Sequence, residues 1–209
     1  CVLRMRVSTA ILSVSLFALV QPGLSAVDFM NDVMPVLSRL GCNGSACHGK
    51  AEGQNGFKLS VFGHDPEGDF RALTKESRGR RVSPAAPDDS LLLRKITGEV
   101  GHGGGIRVAK GSKPYNLLRD WIRSGTPFEI ENRPALVKVR LVPARAVMKL
   151  EARQSLKVVA EFSDGSKRDV TWCSVFHSNE PQHEDGYPPA KEGGGWLLRL
   201  GGLHGCAGG

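Results

Sequence analysis

The segment from Gly41 to Gly49 constrains this chain more than any other stretch of its sequence. It contains two cysteines, Cys42 and Cys47, and His48 directly follows the second. A histidine placed in this way is the pattern that attaches a c-type haem, usually with two residues between the cysteines. Here four residues separate them. The longer spacing leaves three kinds of site to compare, namely a haem, a zinc site and a disulfide.

Each kind of site makes a different demand on the residues around the two thiols. A haem needs both thiols at one porphyrin edge, and the small residues Gly44 and Ser45 allow the longer loop to bulge outward. Structural zinc usually needs a second spaced pair of ligands, but the next cysteine after the motif is Cys173. A disulfide between Cys42 and Cys47 would leave the adjacent histidine without a role. The residues favour a haem, with zinc and a disulfide as the alternatives.

The first 26 residues have the composition of a secretory signal. Arg4 and Arg6 precede an apolar run over residues 10–20, and small residues lead to Ala26. A basic start, an apolar centre and a small-residue exit are typical of a signal peptide, and the run is short for a membrane span. A buried N-terminal helix is the alternative. We therefore expect residues 1–26 to be a signal peptide and the mature protein to be periplasmic or extracellular, with no membrane span.

An amphipathic helix is predicted to lead directly into the Cys-His segment. Between Asp28 and Leu40, apolar residues recur at spacings of three or four, which places them on one helical face. Asp28 can cap the start of this helix, and Gly41 can end it in a left-handed conformation. Pro35 lies in the middle, so it either kinks the helix or starts it afresh after a first short turn.

Two short helical stretches are expected after the Cys-His segment. One covers residues 69–75, and the other runs to Ile96 with Asp88 or Asp89 as its cap. Residues 57–62 alternate in polarity, which predicts a strand or an extended arm that packs over a cofactor.

A last helix closes the helical segment. Ser112 is expected to cap it, Pro114 lies in its first turn, and Gly125 follows its end. We interpret residues 27–131 as one small, mainly α domain. A bound haem would supply part of the apolar core of this loop-rich segment.

A haem iron bound by His48 needs a second protein ligand or keeps one position open. The first methionine after the motif is Met148, outside the helical segment, so the candidates within it are His64 and His102. His64 stands in a turn-like stretch, where an exposed histidine is the ordinary outcome. Glycines flank His102, so the backbone can approach a cofactor closely and present the ring. The residues favour His102, and His64 or an open position remain as alternatives.

From Leu136 the pattern changes from helical periodicity to alternation. Residues 137–141 predict one strand, and a second strand ends at Phe162. The Ser-Asp-Gly-Ser sequence at residues 163–166 predicts a hairpin turn, and the chain is expected to return as a strand over residues 170–172.

The β segment is short for the fold that its pattern indicates. A seven-stranded Ig-like sandwich needs about a hundred residues, whereas the alternating pattern covers only residues 135–180. We therefore predict a partial all-β Ig-like sandwich, followed by a Gly-rich irregular tail at residues 181–209 that is either native or the product of truncation or an altered reading frame. A disulfide between Cys173 and Cys206 is an option that nothing in the sequence positions.

The charge of the chain bears on its partners. The formal net charge is +7, and the basic residues are spread along the chain except for one cluster at Arg78, Arg80 and Arg81. The 3 tryptophans and 2 tyrosines do not alternate with basic residues, as they would on a nucleic-acid platform, so we expect no nucleic-acid partner. The cluster is interpreted as a solvated loop, with a docking patch for an acidic redox partner or a contact to haem propionates as the alternative.

Several of these stretches, in this order, resemble the cytochrome c-like domains of large secreted planctomycete proteins. The matching stretches are Val27-Asp28-Phe29, Asp32 to Leu37, Cys42, Cys47-His48-Gly49, Leu59 to Gly63, Asp65-Pro66-Glu67, His102 to Gly105, Trp121-Ile122 and Gly125-Thr126-Pro127. The β segment, through Phe162 to Ser166 and Arg168 to Thr171, is similar to the bacterial Ig-like group 2 family. The resemblance covers residues 27–180.

The resemblance implies haem c, export, and His102 as the ligand opposite His48. In that family these two domains precede further domains of unknown function, DUF1549 and DUF1553, and the resemblance supplies no substrate. The expected function is therefore that of an exported c-type cytochrome domain that transfers electrons to or from an unidentified redox protein, at the N-terminal end of a larger secreted protein. One rival is a non-redox Ig-like binding module with a zinc or disulfide at the Cys-His segment. Another is a fragment of a larger secreted enzyme without independent function.

Overall fold

The computed structural model describes residues 27–147 and 152–178, together with the backbone of residues 196–199. The predicted signal peptide at residues 1–26 and most of the tail at residues 181–209 lie outside the described residues. Within the described part of the chain, no helix is both long enough and apolar enough to cross a membrane.

Among the described residues, the helices lie between Phe29 and Arg123 and form one helical unit with the loops around them. Its helices are a π-helical turn at Phe29–Val33, α1 at Met34–Arg39, α2 at Pro66–Thr74, α3 at Leu91–Ile96 and α4 at Lys113–Arg123. Short 3-10 turns lie at Val61–Gly63, Glu76–Gly79 and Pro87–Asp89.

The helix that leads into the Cys-His segment forms as predicted. The side chain of Asp28 accepts a hydrogen bond of 2.6 Å from the backbone N–H of Asn31, which satisfies one orphan donor of the first turn. Pro35 lies in the first turn of α1. Backbone N–H groups in a first turn have no partner within the helix, so the missing N–H of proline costs nothing there. The helix therefore starts afresh after the π-helical turn. Gly41 ends it with a φ of 76°, a conformation that glycine adopts without strain.

The two helices in the middle of the unit differ from the prediction at their starts. α2 begins at Pro66, earlier than predicted, because the carboxylate of Asp65 caps it by accepting a bond of 3.0 Å from Gly68 N. The prediction that Asp88 or Asp89 caps α3 is wrong: both lie in a separate 3-10 turn, and the extended ψ of 130° at Ser90 breaks the helix between them and α3.

Residues 57–62 form an extended arm rather than a strand. Phe57 makes an isolated bridge with Gln54, and the arm then runs into the 3-10 turn at Val61–Gly63. Asp69 of α2, which is 2% exposed, holds the arm by accepting hydrogen bonds from the backbone N–H and the hydroxyl of Ser60 at 2.5 and 2.7 Å.

We expect Asp69→Ala to lower the free energy of unfolding by about 2–3 kcal/mol, because it removes two bonds to a carboxylate and leaves the N–H of Ser60 without its partner. Urea denaturation measures this change. Glu67→Ala, an exposed position of the same helix, is the control and should change stability by less than about 1 kcal/mol. Equal effects of the two substitutions would contradict the anchoring role of Asp69.

The core of the helical unit lies between the first helices and α4. The predicted apolar face of α4 is confirmed, since Tyr115, Leu118, Trp121 and Ile122 are all buried. Trp121 also donates from Nε1 to the carbonyl of Pro127 at 3.0 Å, which fixes the exit of the chain from α4. These contacts hold the two ends of the unit together.

Two small antiparallel sheets follow. The first has the order β1-β2-β3, with β1 at Leu136–Val142, β2 at Lys157–Phe162 and β3 at Lys167–Asp169. The second pairs β4 at Val175–Ser178 with β5 at Trp196–Arg199. The predicted hairpin turn at residues 163–166 joins β2 to β3, with a φ of 79° at Gly165.

Three details of the β segment differ from the sequence prediction. A register shift between Leu136 and Lys138 turns Val137 outward, where it is 67% exposed, so the predicted alternation over residues 137–141 is broken at its start. The returning strand is β3, and residues 171–173 form a 3-10 turn instead. β5 lies within the stretch for which the sequence predicts no regular structure.

The β segment packs against the start of the helical unit. Asn31 Nδ2 donates to the carbonyl of Pro134 at 3.0 Å, and Arg168 lies 3.5 Å from Asp32. Trp172 packs against the apolar clusters of both units. Nζ of Lys113 lies over its ring, 4.3 Å from the ring centre. The polar contacts lie on the π-helical turn and that of Lys113 on α4, whereas the Cys-His segment follows α1.

Candidate functional site

The Cys-His segment is a compact loop that bulges outward between the two cysteines. The N–H of His48 donates to the carbonyl of Cys42 at 3.0 Å, and the N–H of Cys47 donates to the carbonyl of Gly44 at 2.9 Å. Ser45 and the next residue are exposed at the tip. The predicted outward bulge is therefore confirmed, and it closes the longer spacing so that both cysteines line one cavity.

Backbone contacts leave no room for a side chain at Gly49. A Cβ there would lie 2.2 Å from the carbonyl oxygen of Asn43, so another residue would push the loop apart. Asn43 is itself buried and donates from Nδ2 to the hydroxyl of Ser38 at 2.8 Å, which ties the loop to α1. Close backbone packing at Gly49 and the hydrogen bond from Asn43 to α1 thus fix the conformation of the loop.

The imidazole of His48 is held in one orientation by the extended arm. Its Nδ1 lies 2.9 Å from the carbonyl oxygen of Phe57, and because a carbonyl only accepts, Nδ1 carries the proton. The ring also packs on the Phe57 ring, with centres 4.4 Å apart. Burial, with smaller contributions from the nearby His102 and Arg81, lowers the pKa of His48. The neutral ring therefore keeps a free lone pair on Nε2, the atom that can bind a metal.

The imidazole of His102 is also oriented by a backbone carbonyl, in this case one from its own loop. Its Nδ1 lies 2.9 Å from the carbonyl of Gly105, within a turn that Gly105 closes by donating back to the His102 carbonyl. This bond again leaves Nε2 free. His64, by contrast, is exposed, interacts with the carbonyl of Val61 at 3.3 Å and is not among the residues that line the cavity.

His48 and His102 face each other across a gap. Their ring centres are 6.5 Å apart and their planes differ by 9°. A metal–imidazole bond is about 2 Å long, so two rings on opposite sides of one metal ion have centres roughly 6 Å apart. The observed separation is close to that value, and it also lies within the range of about 4.5–7 Å over which aromatic rings pair directly. The spacing is therefore compatible with one metal ion between the two imidazoles.

The two histidines and the two cysteines line one cavity of about 540 Å³, a size within the usual range for a ligand pocket. Its apolar walls come from α1, the extended arm, α2 and α3, through Leu37, Phe57, Leu59, Leu73, Leu91, Leu92 and Ile96. Among the described residues that line it, four are arginine or lysine and none is aspartate or glutamate. Such a cavity suits a large, mainly apolar ligand that carries negative charge.

Both thiols in the cavity are unpaired. Burial raises the pKa of the Cys42 thiol to about 12, so it is neutral at ordinary pH. The sulfur of Cys47 lies 3.8 Å from Nη2 of Arg107. Cys173 is also unpaired in the described part of the chain, and Cys206, its predicted partner in one alternative, lies outside the described residues.

Neither alternative to a haem gains support from the positions of these side chains. Cys42 and Cys47 form no disulfide. Across the described ranges, no three histidine, cysteine or acidic side chains converge as the ligands of a metal ion would. A porphyrin makes a different demand, since it binds thiols at its edge and imidazoles above and below its centre.

Arg81 differs from the other members of its basic cluster. Its interpretation as part of a solvated basic loop holds for Arg78 and Arg80, which are exposed, but is wrong for Arg81, which is 5% exposed. The guanidinium lies 4.5 Å from the centre of the Phe57 ring. One signal was present, because the apolar residue Val82 directly follows Arg81, but only the fold shows which basic residue turns inward.

Comparison with known proteins identifies no relative of this chain, since no protein-family model, curated protein or solved structure matches it.

Proposed function

We propose that this chain is an exported c-type cytochrome domain that transfers electrons through one covalently attached haem. In this proposal, Cys42 and Cys47 would be the thioether anchors, and His48 and His102 would be the protein ligands of the iron. The spacing of the two imidazoles, 6.5 Å between centres with both Nε2 atoms free, is the observation that carries the proposal.

The cavity supports a porphyrin as the ligand. Its apolar walls fit the macrocycle, its cationic residues fit the two carboxylates of a haem, and both thiols lie on its lining. A zinc ion would use neither the volume nor the cations. A haem supplies one-electron redox chemistry when it is bound.

The two histidines determine what kind of redox chemistry the site supports. With both imidazoles bound to iron, no coordination position is free for a substrate, which favours electron transfer over catalysis. Two histidine ligands also give a lower reduction potential than a histidine and a methionine. The carbonyls of Phe57 and Gly105 fix both imidazoles, so little movement is needed when the charge of the centre changes.

Metal and haem analysis of the full chain tests this proposal against its main rival. The chain is produced in a host that attaches haem c, purified from the exported fraction, and extracted with acidified acetone. We expect one iron per chain, with the haem retained on the protein after extraction. Zinc without iron would overturn the proposal and favour the non-redox binding module.

The approach of Gly104 to His102 gives a second test. A Cβ on Gly104 would lie 3.2 Å from Nε2 and 2.9 Å from Cε1 of His102, whereas a Cβ on Gly103 would have nothing within 4 Å. Turning the ring out of its rotamer costs about 0.5–1.5 kcal/mol. Gly104→Ala should therefore weaken the bond of His102 to iron roughly two- to tenfold.

The fraction of high-spin haem in the absorption spectrum measures this weakening. Gly103→Ala is the matched control in the same loop and should leave the spectrum unchanged. If both variants shift the spectrum equally, the effect comes from loop stiffness and not from crowding of the His102 ring.

A further inference from the structure

Arg81 is a buried cation whose protein partners are almost all neutral. Nη1 donates to the carbonyl of Ala72 at 2.6 Å, and Nη2 donates to the carbonyl of Gly56 at 2.8 Å and to the hydroxyl of Ser77 at 3.1 Å. The nearest carboxylate is that of Glu76, at 3.9 Å on a side chain that is 55% exposed. A pair of this length with an exposed partner offsets little of the cost of burying a charge.

The cavity wall offers no better counter-charge. Arg81 lines the cavity, and the described residues that form the cavity lining include no aspartate or glutamate. Burial lowers the pKa of Arg81 against an opposing contribution from Glu76, and the arginine stays protonated. Beyond its bonds to the protein, the guanidinium has one further hydrogen on Nη1 and one on Nε, so it can donate a single charge-assisted bond to a carboxylate of the ligand.

The other cations of the cavity are less suited to this role. Arg107 lies beside the Cys47 sulfur, at the edge where thioethers would form, and a haem carries its propionates on the edge opposite its vinyl groups. The ammonium of Lys95 donates to the carbonyl of Gly101. Arg80 is exposed, so solvent screens its charge. Arg81 remains as the desolvated one.

We propose that Arg81 binds a propionate carboxylate of the haem and that the cofactor supplies the counter-charge that the protein lacks. This inference rests on the proposed function. Arg81 also holds the carbonyl of Gly56 and packs on Phe57, whose carbonyl orients His48. Binding of the carboxylate is thereby coupled to the position of His48, which makes Arg81 a positioning residue for iron ligation.

Paired titrations with two porphyrins test the inference. The full chain carrying Cys42→Ala and Cys47→Ala, which can bind the cofactor only through its histidines, is titrated with haem and with haem dimethyl ester, whose carboxylates are blocked. A hydrogen bond to a charged group contributes about 1.5–3 kcal/mol, so esterification should weaken binding at least about tenfold. In the same protein with Arg81→Gln the loss should fall below about threefold. Arg80→Gln is the matched control at the neighbouring position and should keep the full loss.

The outcomes separate the inference from the proposed function. If the parent protein binds no haem, the proposed function fails and the inference fails with it. If haem binds with a low-spin spectrum but Arg81→Gln shows the same loss on esterification as the parent, only the inference is overturned. If Arg81→Gln does not fold, the parent alone decides, because a loss below about threefold contradicts a bond to a carboxylate.

The reduction potential gives an independent readout in the covalent protein. Removing a buried positive charge near the iron favours the oxidised state, so Arg81→Gln should change the ratio of reduced to oxidised protein at a fixed potential by about tenfold, or 59 mV. Arg81→Lys keeps the charge and should stay close to the parent. An unchanged potential in Arg81→Gln would overturn the inference.

Discussion

Replacing His102 by alanine is expected to convert the haem from a six-coordinate, low-spin form to a high-spin form. His102 lies 6.5 Å from His48 between ring centres, and the bond from its Nδ1 to the carbonyl of Gly105 leaves Nε2 free for the iron. Without this imidazole one axial position opens. The change should be nearly complete and is measured by absorption spectroscopy of the oxidised protein.

His64→Ala is the control for this experiment. His64 is exposed and lies outside the lining of the cavity, so its replacement should leave the spectrum of the parent protein unchanged. A low-spin spectrum that survives in His102→Ala and is lost in His64→Ala would move the second ligand to His64. A high-spin spectrum in the parent itself would mean that the position is open.

The double substitution Cys42→Ala/Cys47→Ala is expected to abolish covalent attachment of the haem. Both thiols are unpaired and lie on the cavity that contains His48. Acidified acetone should then extract essentially all of the haem from the variant and almost none from the parent protein. Each single substitution should retain haem through the remaining thioether.

Cys173→Ala is the matched control for the cysteine experiment. Its thiol is also unpaired but is buried in the small core of the β segment, away from the cavity. It should retain the full amount of covalent haem. Haem that stays attached in the double variant would contradict the assignment of Cys42 and Cys47 as anchors.

Local features of the helical unit could be predicted from the sequence. Asp28, Pro35 and Gly41 act through short-range chemistry, namely side-chain capping, a missing N–H and a positive φ, and each has the predicted position in the structure. The buried face of α4 follows from helical periodicity in the same way. Such features depend only on neighbours within a few residues.

Features that depend on contacts between distant segments could not be predicted in this way. Arg81 turns inward because the carbonyls of Gly56 and Ala72 accept hydrogen bonds from its guanidinium. The residues next to Arg81 in the sequence do not indicate these partners. Val137 is exposed because the strand shifts register against β2. The prediction for α3 failed because two adjacent aspartates resemble helix caps, whereas the extended conformation of Ser90 separates them from the helix.

The candidate site shows both kinds of feature. Cys42, Cys47 and His48 form a short-range pattern, and the outward bulge of their loop followed from small residues between the thiols. The glycines around His102 favour it as the second ligand, and the fold places its ring centre 6.5 Å from that of His48. The shared orientation of the two imidazoles depends on carbonyls that only the folded chain brings into position.

The absorption spectrum of the full chain, produced in a host that attaches haem c, tests the central proposal most directly. We expect the bands of a covalently bound, six-coordinate, low-spin haem in both oxidation states, without the band that a methionine sulfur on oxidised iron would add. A protein that contains no haem under these conditions would contradict the proposal that His48 and His102 bind one iron between them.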